Sequence, residues 1–208
     1  MATSPRPSWL YLLVGALSWP VLKLVFRSTA TGLERLPDGA YVLAANHWSN
    51  FDPWPLGLPL FPRRFLRFMA KSELFWFPLG TIVRAGGGFP VRRGERDTTA
   101  VETAVRLCRE GNVVVMFPEG TRRAKGLRKR HQATAKTGAA RIALEAGVPL
   151  VPAGIVGTDR LSRLARLRVA YGDPIPLDDL AGLEPRQAAE LATERLMAEI
   201  HRLEASLS

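Results

Sequence analysis

The sequence predicts an α/β fold. A single domain has a central mixed, mostly parallel sheet covered by helices, and a membrane-associated N-terminal helical segment precedes it. Three observations carry this expectation. Continuous apolar runs at 41–45, 113–117 and 148–156 read as strands buried on both faces. Helical patterns separate and follow them, each closed by a glycine or a polar break. Two of the runs also stop abruptly at polar clusters, and open α/β sheets build their sites at such carboxyl ends.

The chain has 208 residues and a formal net charge of +10, enough for one domain with a sizeable core and an appendage. We divide it at 1–31, the N-terminal helix, and 32–208, the body. The charge is uneven: residues 1–168 hold 26 basic and 11 acidic side chains, residues 169–208 hold 3 and 8. A body so biased attracts phosphates, whether on lipid head groups, nucleotides or nucleic acid. The one cysteine, Cys108, allows no internal disulfide, fits a reducing compartment and offers no metal-site signal.

Residues 9–26 are apolar apart from Ser18, Pro20 and Lys23. The run is at the lower limit for a spanning helix, and Lys23 would be costly in mid-bilayer. Trp9, Tyr11 and Trp19 are residue types that settle among head groups. We expect a helix lying in the membrane surface, kinked at Pro20, rather than a full span. A buried helix covering the core is the competing expectation. No small-residue cleavage site follows, which argues against a removed signal peptide.

A turn-rich stretch, 32–39, leads into the strand at 41–45. That strand delivers Asn46-His47-Trp48-Ser49-Asn50-Phe51-Asp52-Pro53. Histidine takes protons near neutral pH, and a carboxylate can fix its tautomer and stabilise its cation. Five residues apart on an ideal helix, His47 and Asp52 would point about 140° from each other; across a turn they can meet. Asp52 before Pro53 is equally the pattern of a plain helix start, with aspartate as cap. The proline-rich stretch 54–62 can hold only a short or irregular helix. Residues 64–70 alternate as a strand, and Ser72 is placed to cap a short helix after it.

Gly86-Gly87-Gly88-Phe89-Pro90-Val91-Arg92-Arg93 is a glycine loop running into an extended piece. It ends in two arginines able to grip a phosphate, or simply solvated. Asp97 or Thr98 caps a helix with Val101, Ala104, Val105 and Cys108 on one face, and Gly111 stops it. The strand at 113–117 ends in Pro118-Glu119-Gly120-Thr121-Arg122, followed by a basic loop. A helix at 137–146 precedes the strand at 148–156, whose prolines suggest an edge or a bulge. Another strand spans 167–171. The last helix, from about Pro185, aligns Ala192, Leu196, Ile200, Leu203 and Leu207 on a core-facing stripe. His131 and His201 read as surface residues.

Assembled, these strand ends resemble the PlsC family of glycerolipid acyltransferases over about residues 32–175. Asn46 and His47 through Asp52 match the family's His-x4-Asp block. Gly87 to Arg93 resembles the block ending in a phosphate-contacting arginine, with Arg93 preferred and Arg92 as substitute. Phe117-Pro118-Glu119-Gly120-Thr121-Arg122 matches the phosphate-binding block. Val151-Pro152 matches the fourth, and 136–140 resembles the pattern before it.

The resemblance implies acyl transfer from a thioester, on CoA or acyl carrier protein, to a hydroxyl of a glycerol phosphate such as lysophosphatidate. His47 would then be the general base and Asp52 its orienting partner. Arg93, Gly120, Thr121 and Arg122 would hold the acceptor phosphate, and Glu119 in the same block would position it or bind a glycerol hydroxyl. Asn46, Pro118 and Pro152 would support them. No cofactor or metal is implied, and the expected place is the cytoplasmic face of the cell membrane. Glycerol 3-phosphate, another lysophospholipid or a glycolipid are alternative acceptors. A non-catalytic basic protein that binds membranes or nucleic acid is the alternative of another class. Little aromatic interleaving among the arginines and no recognisable motif speak against nucleic acid.

Overall fold

The computed structural model describes residues 7–91, 98–120 and 135–207. Seven strands form one sheet: β1 (Thr29–Thr31), β2 (Tyr41–Ala45), β3 (Leu66–Lys71), β4 (Gly88–Val91), β5 (Val113–Met116), β6 (Leu150–Val156) and β7 (Arg168–Tyr171). Their order is β1-β7-β6-β2-β5-β3-β4. Only the β6–β7 pair is antiparallel, so the sheet is mixed and mostly parallel, as predicted. Strands β2, β5 and β6 are adjacent and parallel, which brings their carboxyl ends to one edge.

The period of two along each strand sorts the core onto two faces. Val42, Ala44, Val114 and Leu150 point to one side, where they pack with residues of α4 (Thr98–Arg109), α5 (Gly138–Ala146) and α6 (Pro185–Ser206). Tyr41, Leu43, Val115, Val151 and Ile155 point to the other, against Leu56 of α2 (Pro53–Gly57). The predicted stripe of α6 is buried throughout. Cys108 is buried on α4, as its helical position implied, and burial pushes its thiol up to about 12. Gly111 and Gly147 follow their helices at φ 92° and 66°, left-handed angles that glycine adopts without strain.

Three expectations are corrected. β6 is neither an edge nor bulged: it lies between β2 and β7 and is buried along nearly its whole length. Pro152 fits there because its carbonyl accepts from Gly172. Its missing N–H therefore points to the same side, one place beyond the last β6–β7 pair at Tyr171. Ser72 does not cap; it lies inside a 3₁₀ turn, Ser72–Leu74, and its hydroxyl bonds Glu73. Asp52, expected as a helix cap, makes no side-chain capping bond to α2. Two further elements, β1 and α3 (Leu79–Ala85), carry no clear periodic signal in the sequence.

The N-terminal run forms α1 (Trp9–Pro20), whose first turn Ser8 caps by accepting from Tyr11 N–H at 3.1 Å. It continues past Pro20 as one π-helical turn, Val21–Val25. Ser18 and Leu22 are its buried residues, while Trp9, Leu17, Trp19 and Leu24 are among those exposed. The helix is therefore no core helix. Among the described residues no helix is long and apolar enough to cross a membrane.

Candidate active site

β2 ends where its ladder is continued by a side chain. Asn46, fully buried, donates from Nδ2 to the Ile155 carbonyl at 2.8 Å and accepts from the Ile155 N–H at 2.8 Å. A carboxamide has the donor and acceptor of a peptide unit, so Asn46 clamps the strand end to β6 while the backbone turns away. That turn carries His47 out at the sheet edge, 5% exposed.

Asp52 is fully buried, and its Oδ2 lies 2.7 Å from His47 Nδ1. The same oxygen accepts from the N–H groups of Trp48 at 2.7 Å and Ser49 at 2.9 Å. Oδ1 accepts from the Thr158 hydroxyl at 2.5 Å. With three other donors on the carboxylate, His47 Nδ1 carries the proton it gives to Asp52, leaving Nε2 as the accepting nitrogen. Although Asp52 directly precedes α2, its carboxylate turns back into its own loop, because Trp48 and Ser49 offer two N–H donors on that side. The Tyr171 hydroxyl steadies α2 by donating to the Leu56 carbonyl at 2.6 Å.

β5 ends beside His47. Phe117 stacks on the imidazole, ring centroids 4.2 Å apart and 17° from coplanar. The turn after it closes with Gly120 N–H on the Phe117 carbonyl at 2.9 Å, and Gly120 takes φ 67°. Pro118 and Glu119 are buried in it. A cavity of about 170 Å³ opens here, lined by His47, Met69, Val91, Gly120, Lys136 and Gly138 among others. A second cavity, about 290 Å³ and apolar, shares Val115 with the first as a lining residue. Leu10, Tyr11 and Val14 of α1, Phe51, Trp54 and Ile82 contribute to its walls.

The structure thus brings together His47, Asp52, Asn46, Pro118, Glu119 and Gly120, all predicted from sequence; Pro152 lies back along β6, paired with Ala44 of β2. Arg92, Arg93, Thr121 and Arg122 lie outside the described residues, as does His131. His201 is exposed on α6. Sequence reasoning missed Thr158, gave Lys136 no role, and did not foresee that Trp48 Nε1–H donates to Glu204 of α6 at 2.9 Å. A signal for Thr158 existed: Gly157-Thr158 is a third polar break after a buried strand, following those at Asn46 and Pro118. Among the described residues no group of three or more His, Cys, Asp or Glu side chains could hold a metal ion.

Comparison with known proteins bears on the chemistry of this site. Residues 27–156 match the Acyltransferase family. The 1-acyl-sn-glycerol-3-phosphate acyltransferase of Bacillus subtilis (strain 168) is 32% identical over 181 residues, 84% of this chain and 86% of that protein. The enzyme of the same name from Streptococcus pneumoniae is 30% identical over 178 residues, 82% of this chain but 64% of its own length. This chain therefore spans just under two thirds of the streptococcal protein. Among solved structures, the 1-acyl-sn-glycerophosphate acyltransferase PlsC from Thermotoga maritima superposes with a TM-score of 0.66. It is 24% identical, covering 94% of this chain and 80% of that one, a likeness of fold.

Proposed function

This chain belongs to the PlsC-like acyltransferase family and is an O-acyltransferase, and from that premise we propose a specific reaction. It moves a fatty acyl group from a thioester, on CoA or acyl carrier protein, to the free hydroxyl of 1-acylglycerol 3-phosphate, giving phosphatidic acid. The observation that carries this reading is the buried His47–Asp52 pair facing a cavity that Gly120 and Lys136 also line.

A hydroxyl is a weak nucleophile until a base removes its proton. His47 Nε2 takes that proton as the hydroxyl oxygen bonds to the thioester carbonyl carbon. Asp52 orients the imidazole and offsets the positive charge that forms. The tetrahedral intermediate then collapses, the carbon–sulfur bond breaks, and the imidazolium returns its proton to the departing thiolate. No acyl-enzyme is required. Phe117, stacked on the ring, limits its rotation and keeps Nε2 aimed at the acceptor.

The acceptor phosphate lies towards Gly120, which lines the cavity with His47 and which Thr121 and Arg122 follow directly in sequence. Lys136 adds a cation at the same cavity. The apolar cavity that shares Val115 suits the fatty acyl chain. The exposed apolar side chains of α1 suit the membrane surface where a lysolipid acceptor resides. The basic body favours the phosphates of CoA and anionic lipid alike.

A thioester-release assay with purified protein tests the proposal, using glycerol 3-phosphate, lysophosphatidate and lysophosphatidylcholine as acceptors. We expect thiol release to be fastest with lysophosphatidate. A preference for glycerol 3-phosphate reassigns the acceptor, and no release with any acceptor overturns the reading.

A further inference from the structure

Asp52 is held from two directions. Oδ2 accepts three hydrogen bonds, all from its own loop: His47 Nδ1, Trp48 N–H and Ser49 N–H. Oδ1 accepts from elsewhere in the chain, the Thr158 hydroxyl 2.5 Å away and 106 residues on in sequence. Both side chains are buried, Asp52 at 0% and Thr158 at 3% exposed.

We propose that Thr158 is a positioning residue of the acyl-transfer reaction, setting the orientation and effective charge of Asp52 and, through it, the basicity of His47. The inference rests on His47 being the base. Bonds to Oδ2 alone would let the carboxylate move with its loop and pivot about that oxygen. Thr158 ties the other oxygen to the end of β6, which the sheet holds on both sides. A short charge-assisted bond also draws negative charge away from the oxygen that faces His47.

The placement of Thr158 is built into the backbone. Gly157, just before it, has φ 96°, and a Cβ there would stand 2.3 Å from the Arg166 carbonyl oxygen. Only glycine fits, so β6 must break there. The 3₁₀ helix Thr158–Arg163 then starts with its first side chain under Asp52.

The test compares the full chain with Thr158→Val, which keeps the side chain's shape and removes the donor, and Thr158→Ser, which restores it. Under the proposal Thr158→Val lowers kcat about tenfold, the scale of one hydrogen bond to a charged group. Both KM values stay within about twofold of wild type. The acid limb of its pH–rate profile moves to higher pH. An Asp52 carboxylate no longer shared with a hydroxyl attracts the imidazolium more strongly. Thr158→Ser recovers most of the rate and the original limb. An unchanged kcat overturns the proposal. So does a loss that tracks the unfolded fraction seen by circular dichroism, with the limb unmoved, because that outcome makes Thr158 a folding residue only. A second measurement needs no turnover: the downfield proton resonance of His47 Nδ1–H, assigned with His47→Ala. Thr158→Val should shift or broaden it and Thr158→Ser should not; an identical resonance in all three overturns the proposal. Thioester consumption missing from the wild-type chain would count against the acyltransferase reading, while the resonance still decides the role of Thr158.

Discussion

Lys136 lies across Gly120. A Cβ built on Gly120 would meet the Lys136 Cε at 2.7 Å and Nζ at 3.1 Å, and the Lys136 N–H donates to the Pro118 carbonyl at 2.8 Å. The turn after β5 and the segment before α5 are therefore one unit, with an ammonium group resting on it beside His47. Among the described residues no carboxylate pairs with that ammonium. Lys136→Ala should raise the acceptor KM about tenfold, the scale of one charged hydrogen bond, with the donor KM little changed. Initial rates at varied lysophosphatidate and fixed acyl-CoA check it. Gly120→Ala should act similarly, because a methyl group there displaces Lys136 and strains a left-handed backbone.

His47→Ala should lower turnover by at least about a thousandfold, within the range general bases supply, without unfolding the protein. Transfer of a radiolabelled acyl group to lysophosphatidate measures it, beside a circular dichroism spectrum; near-normal turnover would remove His47 from the chemistry. Asp52→Asn should also be severely impaired. Its amide cannot accept from His47, Trp48, Ser49 and Thr158 as a carboxylate does, and one buried N–H group would face other donors.

Arg93→Ala should raise the acceptor KM far more than the donor KM, and Arg92→Ala less so. The sequence places both just after Val91, which itself lines the cavity with His47. A change confined to the donor KM would assign the arginine to the phosphates of CoA instead.

Cys108 should resist modification. Its thiol is 1% exposed and pushed up to about 12 by burial, so little of the reactive thiolate exists at neutral pH. Ellman's reagent at pH 8 should react only after denaturant is added. The linked stability has a definite sign. The folded state favours the neutral thiol, so this contribution is complete below the unfolded thiol's ordinary value near 9. It is lost as pH rises from there through about 12. Cys108→Ala should show a flatter loss of thermal stability across that alkaline range.

Much of this molecule is legible one segment at a time. Buried strands such as β2 and β5 are continuous apolar runs, and the helices announce themselves by period and by glycine stops. Where signals failed, a neighbour had decided the matter. Prolines read β6 as an edge, yet a single register position next to Gly172 lets Pro152 sit between two strands. Asp52-Pro53 read as a helix start, yet two N–H groups upstream drew the carboxylate away from α2. β1 is three residues long, too short for any period to show, and exists because β7 offers it an edge.

Local order alone was enough for the α/β class and the polar strand ends at Asn46 and Pro118, because period and turn chemistry are properties of neighbouring residues. Contacts across long separations were decided by topology. The sheet order puts β6 beside β2, and only that brings Thr158 to Asp52 and the Ile155 backbone to Asn46. The polar turn after β5 reaches Lys136 the same way. Hydrogen bonds act over about 3 Å, and nothing in a linear sequence states which distant groups will come that close.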